Sequence, residues 1–264
     1  MIVDGRTLSR ELLLQVRETI SRPYVVRAVT VSPSKATQSY LSIKQKKADE
    51  AGMRMEVVEL PEKSTTDEVI QSVLKEGADA VIVQLPLPEH IDATKVVNSI
   101  PLSHDADILS EAAYNSFLTG KGPLPPVVGA VKEIIDRHNV SLEDKQILVV
   151  GAGKLVGRPV STWLTGLGHT VITVRSSEER DRYIQNADIV ITGTGKTHSI
   201  TKDMLKDGVV IIDAGTSESN GALMGDVHPE CSEKASLFTP VPGGVGPVAV
   251  ACLFKNVASL QEGR

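Results

Sequence analysis

QILVVGAGKLVGRPVSTWL, residues 146–164, joins an apolar run to a glycine turn and the opening of a helix, the signature around which the fold is organised. Ile147 to Val150 form the unbroken aliphatic run expected of a strand buried on both faces, and Gly151, Ala152 and Gly153 follow without a bulky side chain. A helix opens after them. Such a turn lets backbone approach a pyrophosphate, while the N–H groups and positive dipole end of the helix face its charge. The spacing is G-x-G-x-x-x-G, closing on Gly157, one residue longer than the common dinucleotide fingerprint. At this point a plain tight strand-to-helix connection stays open as an alternative.

Around this stretch the pattern is regular. A helix is expected over Gly129–His138 and strands over His169–Arg175, Asp188–Thr192 and Val209–Asp213, with a helix over Thr201–Lys206. Trp163 is expected to pack on the resulting sheet. Upstream, an amphipathic helix over Arg6–Ile20 precedes strands over Val25–Val31, Met55–Leu60 and Ala80–Val83. Helices over Thr37–Ala51 and from Thr65 or Thr66 to Lys75 separate them, stopped near Gly52 and Gly77. Strand and helix in alternation predict an α/β fold with parallel sheets. Prolines at Pro123, Pro125 and Pro126 break both kinds of element and mark a domain boundary. The final stretch, TPVPGGVGPVAVACLFKNVASL from Thr239, is a rigid loop followed by a helix apolar enough to bury itself, back against the first domain. The expected division is residues 1–125 plus 246–264 as the first domain and 126–245 as a Rossmann-like second.

Composition excludes several function classes. With 264 residues, 41% hydrophobic and 23% charged, the chain can build substantial cores. A net charge of −5 and the lack of a basic block argue against a nucleic-acid binder, which needs Lys and Arg to neutralise phosphates. Cys231 and Cys252 are too few for a disulfide framework, and the histidines lack metal-ligand spacing, so no metal site is expected. No apolar run reaches the roughly 18 residues of a membrane span, and Asp4, Arg6, Arg10 and Glu11 are unlike a signal peptide. A cytoplasmic location is the resulting expectation.

Four residues of the first half carry candidate chemistry. Tyr40 and Lys44 in SYLSIK stand four apart and so share a helix face, although taken alone such a pair is most often surface decoration. Gln84 sits where a buried strand runs into Pro86, at the edge of a parallel sheet where α/β proteins collect ligands. Asp105 and Asp107 lie in SHDADIL, and Asp105 is best read as a turn residue.

Taken together and in order, SYLSIK, VQLPLPEHID, HDAD, VVGAGKLVGRP, ADIVITGTGK, VIIDAG, GDV and TPVPGGVGP resemble the bifunctional methylenetetrahydrofolate dehydrogenase/cyclohydrolase (FolD) family over nearly the whole chain. The resemblance implies an N-terminal α/β folate domain, a Rossmann-like coenzyme domain, folate bound between them, and a homodimer formed through the coenzyme domain. It implies Lys44 as catalytic lysine, Tyr40 stacking on the folate, Gln84 bonded to the lysine and Asp107 holding the pterin. Pro242, Gly243 and Gly244 would contact substrate, and Gly151, Gly153, Lys154, Val156, Gly157, Thr194 and Gly195 the coenzyme. Departures are His104-Asp105-Ala106-Asp107-Ile108 for the family's Lys-Asp-Val-Asp-Gly and Pro125-Pro126-Val127-Val128 for its Pro-Cys-Thr-Pro. Val248-Ala249 replaces its usual Met-Thr. A dehydrogenase that has lost the hydrolase, and a dinucleotide-binding scaffold without catalysis, are the alternatives; Lys44 and Gln84 argue against the first, and Tyr40 with Lys44 and Gln84 against the second.

Coenzyme choice is read where the second strand of the coenzyme domain ends. NAD-preferring folds place an acidic residue about 20 positions beyond the first glycines, whereas a cation accommodates the extra phosphate of NADP. Here the strand ends in Arg175-Ser176-Ser177, with no carboxylate before Glu178. That set suits NADP, with NAD use open.

Overall fold

The computed structural model describes residues 1–219 and 222–262. The chain divides into two compact units, one of Arg10–Pro126 with the chain from Val250 onward, the other of Met1–Ser9 with Val127–Ala249.

In the first unit, α1 (Gly5–Thr19, shared with the second unit), β1 (Val25–Val31), α2 (Lys35–Glu50), β2 (Arg54–Leu60), α3 (Thr66–Leu74), β3 (Ala80–Val83), α4 (Ala93–Asn98) and α5 (Glu111–Leu118) follow in order. The three strands form a parallel sheet in the order β2-β1-β3, with Val26 opposite both Met55 and Ala80. Central β1 is buried almost throughout, which its valines satisfy and Arg27 does not. Arg27 is accommodated because its guanidinium donates to the carbonyls of Lys75 and Glu76 at the end of α3 and faces Glu56 at 3.8 Å. The α2 helix starts two residues before the expected Thr37, because the Ser34 hydroxyl accepts the Thr37 N–H and makes Ser34 the N-cap. Thr65 caps α3 in a reciprocal box with Glu68.

The second unit holds α6 (Pro126–Arg137, from its second residue), β4 (Ile147–Val150), α7 (Gly157–Gly166), β5 (Val171–Val174), α8 (Ser177–Tyr183), β6 (Ile189–Thr192), β7 (Val210–Asp213), the antiparallel pair β8 (Ser217–Ser219) and β9 (Ala222–Met224), and β10 (Leu237–Phe238). Its five-stranded sheet is parallel throughout, in the order β10-β7-β6-β4-β5. Trp163 lies half-buried on α7. Two expectations change here. Thr201–Lys206 contains only a three-residue 3-10 turn, Lys202–Met204, since so short a segment recovers little of the cost of nucleating a helix. Met1–Ser9, expected with the first domain, belongs to this unit. Its backbone satisfies the open edge of two-residue β10: Val3 N–H donates to Phe238 O, and Phe238 N–H to Met1 O, both at 2.9 Å.

The last helix, α9 (Val245–Glu262), starts in the second unit and returns its chain from Val250 to the first. There Asn256 donates to the carbonyls of Ala106 and Leu124 at 2.9 Å each.

Candidate functional site

Four predicted residues of the first unit come within electrostatic reach of one another. The N-cap Ser34 sets the phase of α2, and that phase turns Lys44 inward while Tyr40, one turn earlier, stays 43% exposed. Lys44 is only 6% exposed. Its ammonium lies 5.0 Å from the centroid of the Tyr40 ring and donates to Gln84 Oε1 at 3.1 Å. Gln84 stands one residue beyond β3, and its amide is held by donating Nε2–H to the Leu85 carbonyl at 2.8 Å, which turns Oε1 toward the lysine. Backbone Gln84 N–H extends the sheet by donating to Val29 O. The Leu85–Pro86 bond that follows is cis.

Asp107 completes the group. The loop that bears it is tied down on both sides: the fully buried Asp105 carboxylate accepts the N–H groups of Leu109 and Ser110, and Asn256 holds the Ala106 carbonyl. Asp105 is therefore the turn-forming residue that the sequence indicated, acting at the start of α5, where Ser110 is the N-cap. Ile108 adopts φ +56°, a left-handed conformation costly for a β-branched residue, at the position where the family pattern has glycine.

Burial dominates the charges. Desolvation lowers the Lys44 pKa below the ordinary lysine range, outweighing the Asp107 carboxylate, which acts the other way. Desolvation likewise raises Asp107, with Asp105 adding to the rise and Lys44 opposing it. Both members of the pair thus drift toward their neutral forms. Tyr40 is pushed up to about 12, first by desolvation and then by Asp107, so its phenol stays protonated. An amine with a lowered pKa and a neutral amide partner holds more of the neutral form, the one able to take a proton from water, than an ordinary lysine does.

The second unit carries the glycine turn. Gly151 lies at φ +102°, and a β-carbon on Gly157 would fall 1.9 Å from the Gly151 carbonyl oxygen, so the start of α7 presses directly on the turn. A β-carbon on exposed Gly153 would meet nothing within 4 Å, leaving the backbone open on that side, and Lys154 beside it is exposed. Val156, the N-cap of α7, makes no side-chain capping bond and packs against Gly193. An open glycine backbone at an uncapped helix start fits the pyrophosphate of a dinucleotide.

Arg175, Ser176 and Ser177 are exposed after β5 and open α8. They are already partly engaged. Ser176 caps the helix by accepting the Glu179 N–H, and the Glu179 carboxylate accepts the Arg175 N–H at 2.8 Å. Thr194 and Gly195 lie in the loop after β6, with Gly195 at φ +69°. Pro242 follows a cis bond, Gly243 lies at φ +110°, and buried Gly244 donates to Pro240 O at 2.7 Å. Among the described residues no cluster of His, Cys, Asp or Glu is suited to a metal ion, and no helix is long and apolar enough to cross a membrane.

Sequence reasoning missed the residues that hold these loops. Asn256 had one signal, an amide set among the aliphatic residues of a largely apolar helix. Asp213 and Asp226, both buried, had as their signal only their places in VIIDAG and GDV, two segments of the family resemblance, to which no role was attached.

Residues 3–107 match the family model described as tetrahydrofolate dehydrogenase/cyclohydrolase, catalytic domain, and residues 125–264 the one described as its NAD(P)-binding domain. A bifunctional protein FolD from Moorella thermoacetica is 34% identical over 270 residues, covering 97% of this chain and 96% of its own. The crystal structure of the bifunctional FolD methylenetetrahydrofolate dehydrogenase/cyclohydrolase from Campylobacter jejuni superposes with a TM-score of 0.95 at 30% identity, covering 100% of this chain and 99% of that one. The Trypanosoma brucei methylenetetrahydrofolate dehydrogenase-cyclohydrolase, complexed with NADP and an inhibitor, gives 0.92 at 28% identity, covering 100% and 98%.

Proposed function

The chain belongs to the tetrahydrofolate dehydrogenase/cyclohydrolase family, and on that premise we propose that it oxidises 5,10-methylenetetrahydrofolate to the methenyl form with NADP and then hydrolyses the product to 10-formyltetrahydrofolate. The observation that carries this reading is a buried lysine on a neutral partner: Lys44 donating to Gln84 Oε1 at 3.1 Å.

The nicotinamide ring of NADP supplies the acceptor for the hydride that leaves the methylene bridge. Loss of that hydride makes the folate a cation. A neutral Lys44 does not repel this cation, and desolvation keeps the neutral form accessible. In the hydrolytic step the Lys44 lone pair accepts a proton from the water that attacks the methenyl carbon; the bond from that carbon to N5 then breaks as the new hydroxyl becomes the formyl carbonyl, its proton passing to N5, and the proton held by Lys44 leaves to solvent. Gln84 orients the amine without adding charge, whereas a carboxylate there would hold the lysine protonated. Tyr40 offers an exposed aromatic face for stacking, and Asp107 a carboxyl for the pterin.

Gly151, Gly153, Lys154, Val156 and Gly157 are proposed to cradle the pyrophosphate, Thr194 and Gly195 to line the coenzyme, and Arg175, Ser176 and Ser177 to meet the 2′-phosphate. Pro242, Gly243 and Gly244 are assigned to substrate contact on the TPVPGGVGP motif. We also propose a cytoplasmic homodimer formed through the coenzyme unit. Its edge strand β5 is only partly buried where β4 and β6 are fully so, and Leu155 and Leu167 of the same unit are exposed.

Mixing the protein with methylenetetrahydrofolate and NADP and following reduced coenzyme, then supplying methenyltetrahydrofolate alone and following its hydrolysis, tests both activities. No reduction with either NADP or NAD would sink the reading.

A further inference from the structure

The loop after β6, Gly193 to Lys196, is held from beneath by a single buried side chain. Asp226 has no exposed surface. Its Oδ2 accepts the Thr192 hydroxyl and the Thr194 N–H, each at 2.6 Å, and its Oδ1 accepts the Lys196 N–H at 2.9 Å. One carboxylate therefore gathers two N–H groups of the loop and the last side chain of the strand before it. No room is left around it: a β-carbon on Gly215 would fall 2.2 Å from its carboxyl carbon.

Asp226 is itself held by a second carboxylate. Asp213, at the end of β7 and paired with Thr192 across the sheet, accepts the N–H groups of Gly215 and Val227, each at 2.9 Å. Val227 is the residue after Asp226. Gly225, the residue before it, would place a β-carbon 2.2 Å from Asp213 Oδ2. The order of support is thus Asp213 to the Gly225–Val227 segment, and Asp226 from that segment to the loop after β6.

We infer that Asp226 is a positioning residue for coenzyme binding: its carboxylate fixes the Thr194–Lys196 backbone in the shape that receives NADP, without touching the coenzyme itself. The inference rests on the proposal that Thr194 and Gly195 are coenzyme contacts. Stability alone does not demand this arrangement, because the N–H groups of Thr194 and Lys196 sit in a half-buried to exposed loop where water could satisfy them. What the carboxylate adds is one fixed loop conformation, whose ordering cost is met on folding rather than on binding.

Asp226→Asn puts an NH2 group where one of these donors must be accepted. It is expected to raise the KM for NADP about tenfold or more while leaving the folate KM and the coenzyme-independent hydrolysis of methenyltetrahydrofolate within about twofold. Thr192→Val removes one buried donor, keeps both loop N–H bonds and serves if the asparagine variant fails to fold; about a threefold rise in the same KM is expected. An unchanged NADP KM in Thr192→Val and in folded Asp226→Asn, or an equal fall of both activities, overturns the inference. Amide exchange of residues 193–196 in the wild type, with and without NADP, separates the two layers. Absence of protection overturns the coenzyme-contact reading and the inference together. Protection with an unchanged KM in the variants overturns the inference alone.

Discussion

In the Arg10–Pro126 unit the candidate chemistry hangs on side chains drawn from α2, the end of β3 and the loop before α5, whereas in the Val127–Ala249 unit it hangs on main chain laid bare by glycine. The first group is tuned by burial: Lys44 and Asp107 both move toward their neutral forms, and each limits the other's shift. The second is shaped by close approach, with Gly157 against the Gly151 carbonyl and Gly215 against Asp226. A side-chain deletion in the first region should therefore remove chemistry and spare the fold. Adding one carbon in the second should damage the fold and spare the chemistry of the other unit.

The largest expected effect is Lys44→Met, which keeps the buried apolar stem and removes the base. Hydrolysis of methenyltetrahydrofolate should fall by about 10²–10⁴-fold with thermal stability unchanged or raised, because a buried ionisable amine is gone. Initial hydrolysis rates and a melting curve check it, and near-normal hydrolysis would remove Lys44 from the reaction. Gly157→Ala comes next. Overpacking against the Gly151 carbonyl should cost about 1–3 kcal/mol or more and abolish NADP binding. Denaturant unfolding together with coenzyme titration decides it, and a stable variant that still binds NADP would break the comparison.

Arg175→Ala should weaken NADP by about 1.5–3 kcal/mol, the worth of a charged hydrogen bond, and leave NAD use little changed. The ratio of kcat/KM for the two coenzymes reads this directly, and an equal fall for both would take Arg175 away from the phosphate. The Glu179 carboxylate accepts the backbone N–H of Arg175, which alanine retains, so the variant removes the guanidinium alone. The smallest effect expected is that of Asp107→Ala, which should raise the KM for folate more than that for NADP by about 1–3 kcal/mol. Equal changes in the two would count against its pterin contact.

The same contrast explains what could be read from the sequence. The β4 strand, the glycine turn and the start of α7 were legible because continuous aliphatic character and small residues are local signals. Tyr40 and Lys44 were legible only in part: their spacing gives a shared helix face, and alone it reads as surface decoration, so their candidate roles came from the resemblance of SYLSIK and its companion segments to the family. The α8 helix was missed because SEERDRY is polar all round and has no apolar period, its start being set by the Ser176 cap instead. Met1–Ser9 groups with the second unit through backbone pairing with β10, a contact that leaves no trace in side-chain pattern, although the catalytic-domain family model already begins at residue 3. Asp226 and Asn256 were missed for a related reason. A buried polar residue that serves backbone 30 or 150 positions away carries no local sign of that role, even where, as with Asp226 in GDV, its segment belongs to the family pattern.

The central claim, that Lys44 is a base made usable by burial and a neutral partner, is tested most directly by the pH profile of methenyltetrahydrofolate hydrolysis in the wild type and in Gln84→Glu. The wild-type rate, corrected for uncatalysed hydrolysis, should rise with pH as Lys44 loses its proton, and level off below the ordinary lysine pKa of about 10.4. In Gln84→Glu the added carboxylate favours the ammonium, so the rising limb should move to higher pH. A limb that stays in place in the variant, or a wild-type rate that does not rise with pH, would contradict the account.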